Sequence, residues 1–336
     1  MSNKNSKQKN WTSWHHLLHK EFLRNQKLIP NGANLLIAVS GGQDSMALLN
    51  LINDIKTQHN WIVYVWHGDH QWHEKSEKYS IELKNYCDKK NISFFCDRAN
   101  KKTISSEEKA REWRYKKLSE RANLLLNENQ KIMDIYLITG HTSTDNAETF
   151  LLNLARGSNY AGLSYIDKKR IYENNIFLIR PLLIFSREDT RTICKLMNIP
   201  IWEDPSNYDL KIKRNLIRKK IIPNFETMYP GYSKRINSFA EKMTKYNKEQ
   251  QDLGKVAYLS CKDEKGIKRE ILNSLCIEAR CTILNIFLKK NCTKQLNSKS
   301  INALAFSIFE KDKGQIHLPE RLKIFWNADY INLKKS

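Results

Sequence analysis

An α/β fold, a doubly wound parallel sheet followed by a second, smaller and mainly helical C-terminal domain, is what this sequence predicts. Three observations lead there. Short apolar runs alternate with amphipathic helical patterns from Leu35 to about Leu196, a glycine-bearing loop joins the first run to the first helix, and the character changes beyond Pro205. Repeated strand–helix units place helices on both faces of a parallel sheet, and such sheets take ligands beyond the carboxyl ends of their strands.

The elements follow in order. Leu35–Val39 is a buried strand, and Met46, Leu48, Leu49 and Ile52 mark the helix after it. Trp61–Trp66 is a second strand, with Tyr79, Leu83, Tyr86 and Cys87 on one face of the next helix. Ile92–Cys96 is a third strand, and Ser105 with Glu108 forms a capping box that opens the helix carrying Arg111, Trp113 and Arg114. Ile135–Thr139 is a fourth strand, followed by a helix whose Thr142 and Asp145 have capping-box spacing. Phe177–Ile179 is a fifth, and Ser186 with Asp189 opens another helix. Next comes a basic cluster, Lys211, Lys213, Arg214, Arg218, Lys219 and Lys220, running into Pro223. A long polar helix is predicted from Tyr232 to about Ser260, helical sequence continues to Phe309, and Gln315–Leu318, Lys323–Trp326 and Tyr330–Leu333 read as short strands. The domain boundary is expected near Pro223 to Pro230, giving domains 1–225 and 226–336.

Composition narrows the function. The 336 residues carry 57 Lys+Arg against 36 Asp+Glu, a net charge of +21, which predicts a polyanionic partner because basic side chains release counterions from nucleic acid. No apolar run nears the ~18 residues of a membrane span, and MSNKNSKQKN has no apolar segment, so neither a membrane protein nor a secretory signal is expected. The seven cysteines, at 87, 96, 194, 261, 276, 281 and 292, include no C-x-x-C pair, which argues against a disulfide framework or a zinc site and for reduced thiols.

The most informative segment is Ser40-Gly41-Gly42-Gln43-Asp44-Ser45, directly after the first strand and opening a helix. Glycines let the backbone turn sharply and leave N–H groups for phosphate oxygens, and the helix N-terminus adds positive partial charge. Asp44 is placed to hold a nucleotide's Mg2+. There is no G-x-x-x-x-G-K-[ST] and no G-x-G-x-x-G, which excludes a Walker-A NTPase and speaks against a dinucleotide fold.

This string resembles the loop of the ATP pyrophosphatase (PP-loop) superfamily, and further matches point to the tRNA(Ile)-lysidine synthetase family. His67-Gly68-Asp69-His70 resembles its H-x-D-H, Glu108 to Tyr115 its E-x-A-R-x-x-R-Y helix, and Gly140 to Thr149 its G-H-x-x-x-D-x-x-E-T. Arg156 to Leu163 resembles its R-G-x-x-x-x-G-L; Glu203 to Asn207, Arg214 to Arg218 and Ile222-Pro223 resemble its E-D-x-x-N, R-N-x-x-R and I-P run. Apart from size and outline, the matches stop at residue 223, and the length is that of shorter members with one compact C-terminal domain.

The resemblance implies a fold of the adenine nucleotide alpha hydrolase type and a two-step reaction. ATP adenylates the 2-carbonyl oxygen of the wobble cytidine in a CAU-anticodon tRNA(Ile), releasing pyrophosphate; the ε-amine of free L-lysine then displaces AMP, and the resulting lysidine switches codon reading from AUG to AUA. Such chemistry needs a cradle for the diphosphate, cations at the α-phosphate and carboxylates for the amine. The expected ATP site is Ser40, Gly41, Gly42, Gln43, Asp44 and Ser45, with Arg111, Arg114 and His141; the expected catalytic group is Asp44, Asp145, Glu148 and Arg214. Asp145 and Glu148 share a helix face, as do Arg111 and Arg114. Arg111 and Arg114 also suit pairing with Glu107 or Glu108, Asp145 a plain helix-terminal charge, and His141 a structural role. Asp69 and His70 are expected to line the same pocket. Lys211, Lys213, Arg218, Lys219 and Lys220, followed by basic residues on the next helix, are expected to track the tRNA backbone, with Tyr160 or Tyr208 as stacking candidates. A tRNA thiolase and a silent RNA-binding module are the alternatives. An AT-rich composition and resemblance to cyanobacterial-type members favour a plastid stroma, with bacterial cytoplasm next. Oligomeric state is left open, a homodimer included.

Overall fold

The computed structural model describes residues 11–72, 74–100, 106–158, 162–202, 209–292 and 296–335. Ser105, Tyr160, Tyr208 and the segment 203–207 therefore lie outside the described residues. Internal contacts divide the chain into two compact units, Met1–Glu241 and Lys242–Ser336.

The first unit begins with α1 (Ser13–Arg24), β1 (Asn34–Ala38), α2 (Gln43–Ile55), β2 (Ile62–Asp69), α3 (Ser76–Lys89) and β3 (Ser93–Arg98). It continues through α4 (Glu107–Glu128), β4 (Ile135–Thr139), α5 (Ser143–Ala155), β5 (Lys169–Glu173), β6 (Ile176–Ile179) and α6 (Arg187–Leu196). The sheet order is β3-β2-β1-β4-β6-β5, with every pairing parallel except β5 against β6. Alternation along the strands builds a core on each face: Leu35, Ile37, Tyr136 and Ile138 pack into one cluster, Leu36, Ile135 and Leu137 into the other. The chain runs from β1 out to β3 and then returns to the other side of β1 at β4. That reversal opens a crevice between the carboxyl ends of β1 and β4.

Three details differ from expectation. The cap of α4 is Ser106, whose Oγ accepts from Lys109 N–H at 3.2 Å, a one-sided cap with Lys109 at the third helical position and not the expected box of Ser105 with Glu108. The edge strand β5 was not expected, because Lys169-Arg170-Ile171-Tyr172-Glu173 is polar and exposed, with a bulge between Ile171 and Glu173. The unit also extends past residue 225: α7 (Lys213–Leu216), a π-helical turn (Ile217–Ile221) and α8 (Ile222–Met228) lead to α9 (Tyr232–Cys261), whose Ile236 and Ala240 pack with Ala147 and Phe150 of α5.

In the second unit, β7 (Lys262–Asp263), β8 (Gly266–Lys268), α10 (Arg269–Asn273), α11 (Ile277–Asn291), α12 (Ser298–Glu310), β9 (Gly314–Leu318), β10 (Leu322–Trp326) and β11 (Tyr330–Lys335) follow one another. The strands form an antiparallel sheet in the order β7-β8-β11-β10-β9. The three tail strands were expected; β7 and β8 are too short to carry a pattern. Buried Arg269 donates to the carbonyls of Ile308, Lys311, Asp312 and Asn327, tying helix ends to the sheet. No described helix is long and apolar enough to cross a membrane.

Candidate active site

The glycine loop leaves β1 and turns into α2. Gly41 has φ +86°, a region L side chains rarely occupy, and its carbonyl accepts from Trp202 N–H at 3.0 Å. The Ser45 hydroxyl donates to Gly42 O at 2.9 Å and accepts from Ser40 N–H at 3.2 Å, while Gly42 N–H donates to Ser40 Oγ at 3.3 Å. These serines therefore fix the loop's shape. The first helical bond is Met46 N–H to Gly42 O, 3.0 Å, so the N–H groups of Gln43, Asp44 and Ser45 precede the helical ladder and face the crevice end of α2.

Gln43 points elsewhere than expected, and Asp44 carries partners from a distant helix. Gln43 Nε2 donates to Arg187 O at 2.6 Å and to Thr190 Oγ1 at 2.8 Å, bracing α6; its main chain alone is available to a phosphate. Asp44 accepts from Arg187 Nη1 at 2.8 Å and from Thr190 Oγ1. Burial raises the Asp44 pKa, with Asp145 adding to the rise, while Arg187, Thr190 and Arg218 counter it. Oδ1 also receives Gln43 Nε2 at 3.4 Å, whereas Oδ2, with Arg187 alone, keeps a second lone pair, and Mg2+ normally takes one or two carboxylates plus phosphates and water. Asp44 thus fits a metal that arrives on a nucleotide. Among the described residues no cluster of three His, Cys, Asp or Glu could hold a resident ion.

The turn after β4 closes on this loop. A Cβ added to Gly140 would lie 3.1 Å from the Asp44 carbonyl carbon and the Ser45 nitrogen, so glycine lets the two turns meet without either giving way. His141 Nδ1 lies 3.0 Å from Thr139 Oγ1, and burial among Arg180, Arg214 and Arg111, against Asp145, pushes its pKa down to about 4. The imidazole is neutral. Thr142 caps α5, with its N–H and hydroxyl donating to Asp145 Oδ2 at 2.8 and 2.9 Å.

Asp145 Oδ1 then meets Arg214 Nη2 at 3.0 Å and Arg218 Nη2 at 3.5 Å. Glu148, fully buried, accepts from Arg214 Nε at 2.7 Å, Arg218 Nε at 2.5 Å and Arg218 Nη2 at 2.9 Å. Burial works to raise the Asp145 pKa, but Arg214, His141 and the Thr142 N–H outweigh it and hold the carboxyl below its ordinary value. Burial likewise opposes the two guanidiniums, and Asp145 and Glu148 overcome it.

The structure thus joins Asp44, His141, Asp145, Glu148 and Arg214, and brings Arg111 into electrostatic reach of His141. Arg114 lies one turn further along α4 and is half-buried. Arg218, expected on the tRNA-tracking face, is instead locked into the acid pair. The π turn that carries it is a feature frequent at functional sites and invisible to spacing rules. Lys211, Lys213 and Lys220 are exposed, and Lys219 is half-buried. Asp69, buried at the end of β2, accepts from Gln71 N–H at 2.9 Å and pairs with Arg98, and His70 stacks on Trp72 and meets Trp113 edge-on. Two residues were missed. Arg187 holds Asp44, and Arg180, a lone arginine ahead of a proline at the end of β6, lies beside His141.

A PP-loop domain matches residues 15–225. The tRNA(Ile)-lysidine synthase of Prochlorococcus marinus subsp. pastoris is 75% identical over 336 residues, covering 100% of both chains. A chloroplastic tRNA(Ile)-lysidine synthase from Pyropia yezoensis is 30% identical over 307 residues, covering 90% of this chain and 91% of its own. Among solved structures, a U34-tRNA thiolase from Methanococcus maripaludis superposes with TM-score 0.53 at 16% identity, over 69% of this chain and 80% of that one, a likeness of fold alone. With that identity extending from end to end and the glycine loop and paired acids in place, the chain belongs to the tRNA(Ile)-lysidine synthase family of PP-loop proteins.

Proposed function

We propose that the chain uses ATP to join free L-lysine to C2 of the wobble cytidine in a CAU-anticodon tRNA(Ile), forming lysidine. The observation that carries this reading is the closure of the Gly140 turn on the Asp44–Ser45 backbone, which sets a phosphate cradle and a carboxylate pair in one crevice. In the first step the cytidine 2-oxygen attacks the α-phosphorus and pyrophosphate leaves into the loop. The N–H groups at the start of α2 receive it, and Mg2+ at Asp44 would offset its charge. In the second step the lysine ε-ammonium gives up a proton to the Asp145 carboxylate and on to solvent, the freed nitrogen bonds to C2, and AMP leaves with the oxygen.

The acids divide these duties. Glu148 is saturated by two guanidiniums and sealed from solvent, so it positions the arginines. Asp145 spends one oxygen on the cap of α5 and offers the other at 3.0 Å to Arg214. An incoming ε-ammonium takes Arg214's place on that oxygen, while Arg214 turns to the α-phosphate. Neutral His141 accepts or donates a hydrogen bond at the nucleotide without adding charge. The exposed Lys211, Lys213 and Lys220, with Lys219 beside them, track the tRNA backbone.

Sulfur transfer fits poorly, because the seven cysteines include no C-x-x-C pair. For compartment we favour a cyanobacterial cytoplasm over the plastid stroma, since identity falls from 75% to the Prochlorococcus relative to 30% to the chloroplastic one. The test is nucleoside mass spectrometry of a CAU-anticodon tRNA incubated with protein, ATP and lysine. Lysidine should form only when all three are present; pyrophosphate release without lysidine would overturn the reading.

A further inference from the structure

Arg180 is a charged side chain with no ionic partner. It sits at the end of β6, 5% exposed, next to β4 in the sheet through the Ile138–Ile179 pairing. Its Nη1 donates to Asp167 O at 2.6 Å, its head bonds the Tyr115 hydroxyl, and its Nε has no hydrogen-bond partner. The Arg111 guanidinium lies 5.1 Å from the centre of the Tyr115 ring, Arg170 lies 5.9 Å from it, and Tyr115 stacks on Tyr172 at 5.9 Å. No described carboxylate forms an ion pair with Arg111, Arg170 or Arg180. Burial, then Arg170 and Arg111, works against the Arg180 charge, and Tyr115 only partly offsets this.

Like charges gathered without acids, one of them buried with an unused donor, make a set that an anion would complete. The position narrows the anion. β6 lies two strands from β1, roughly 10 Å across the sheet, so Arg180 flanks the far side of the crevice from the glycine loop. Arg111 and Arg170 stand at its exposed rim.

We infer that Arg180, Arg111 and Arg170 around Tyr115 form a second phosphate-binding pocket, separate from the glycine loop. Its ligand is a phosphate oxyanion, supplied either by the nucleotide's α-phosphate or by the backbone of the bound RNA. This rests on the reading of ATP and tRNA as substrates.

The test compares the wild-type full chain with Arg180→Gln. Glutamine retains a donor for the Asp167 carbonyl but removes the charge. Calorimetry measures binding of ATP and of an anticodon stem-loop RNA, and steady-state assays give KM for ATP, tRNA and lysine. The expected result is about tenfold weaker binding of one phosphate ligand, with the lysine KM changed less than about twofold. Loss confined to ATP assigns the pocket to the nucleotide. Loss confined to RNA, with its salt-dependence slope reduced by about one, assigns it to the RNA backbone. A folded variant that binds both ligands within about twofold of wild type, or weakens ATP, RNA and lysine alike, overturns the pocket. Should Arg180→Gln fail to fold, Arg111→Ala/Arg170→Ala removes the exposed rim, and unchanged binding of both ligands overturns the proposal equally. Wild type that binds both ligands yet makes no lysidine would defeat the functional reading and leave the pocket standing.

Discussion

Asp145 and Glu148 sit one turn apart and receive the same arginines, yet their burial predicts opposite outcomes on neutralisation. Asp145→Asn keeps an oxygen for the Thr142 N–H, so the fold should survive with a loss of about 1–3 kcal/mol. Lysidine formation should fall by about a hundredfold or more even at saturating lysine, because the oxygen that receives the amine has lost its charge. Rates and melting curves on one preparation check both halves. Glu148→Gln leaves two guanidiniums in a sealed site with a single acid, and should cost about 3–5 kcal/mol by chemical denaturation. His141 gives a pH prediction. Its folded pKa, about 4, lies below the ordinary 6.5, so the unfolded chain binds the proton first as pH falls. Its contribution is complete above pH 6.5 and drains away towards pH 4, on the order of 3 kcal/mol in all, and His141→Gln should flatten that limb of the stability curve. Spacing alone put Asp145 with Glu148, while Arg214 and Arg218 were expected in separate roles. That the acids and the arginines grip each other depends on contacts between distant segments, which no local pattern records. Arg180 and Arg187 escaped for the same reason.

Helices and turns were legible wherever a local rule governs them. The boxes Thr142–Asp145 and Ser186–Asp189 form as spaced, because a cap is a contact between neighbours in sequence. The cap of α4 falls on Ser106, one residue past the expected Ser105, because two adjacent serines carry the same local signal. The edge strand β5 could not be read, since it has one partner and little to bury. The meeting of the two turns at the crevice is likewise hidden in sequence, and glycine substitutions expose it. Gly140→Ala sets a methyl 3.1 Å from the Asp44–Ser45 backbone, which cannot yield as a flexible side chain would. The cost should be about 1–3 kcal/mol, with the ATP KM rising as the cradle is pushed open. Gly41→Ala adds a left-handed backbone at φ +86° to a contact 3.3 Å from the Trp202 ring, and should cost about 1–2 kcal/mol. The site predicts that Gly140→Ala raises the ATP KM more than the lysine KM, and equal rises would place the damage in general instability.

At the scale of the molecule, the doubly wound sheet, though not its strand order, followed from strand–helix alternation, because both faces of β1 and β4 must be covered and only flanking helices can cover them. The net charge of +21 is the other property readable at once, but charge alone does not separate a functional basic face from a structural one. The structure makes that separation within one short segment. Arg214 and Arg218 are consumed by Asp145 and Glu148, whereas Lys211, Lys213 and Lys220 face solvent. Counterion release then gives a quantitative expectation. Each lysine that neutralises a phosphate contributes about 0.7–0.9 to the slope of log affinity against log salt. Lys211→Ala/Lys213→Ala/Lys220→Ala should therefore weaken tRNA binding at low salt and lower that slope by about two to three. The ATP KM and the melting temperature should hold, since none of the three touches the crevice or a core. Titrations across a salt series decide it: a slope equal to wild type would remove these lysines from the RNA path and move the tRNA contact to another part of the surface.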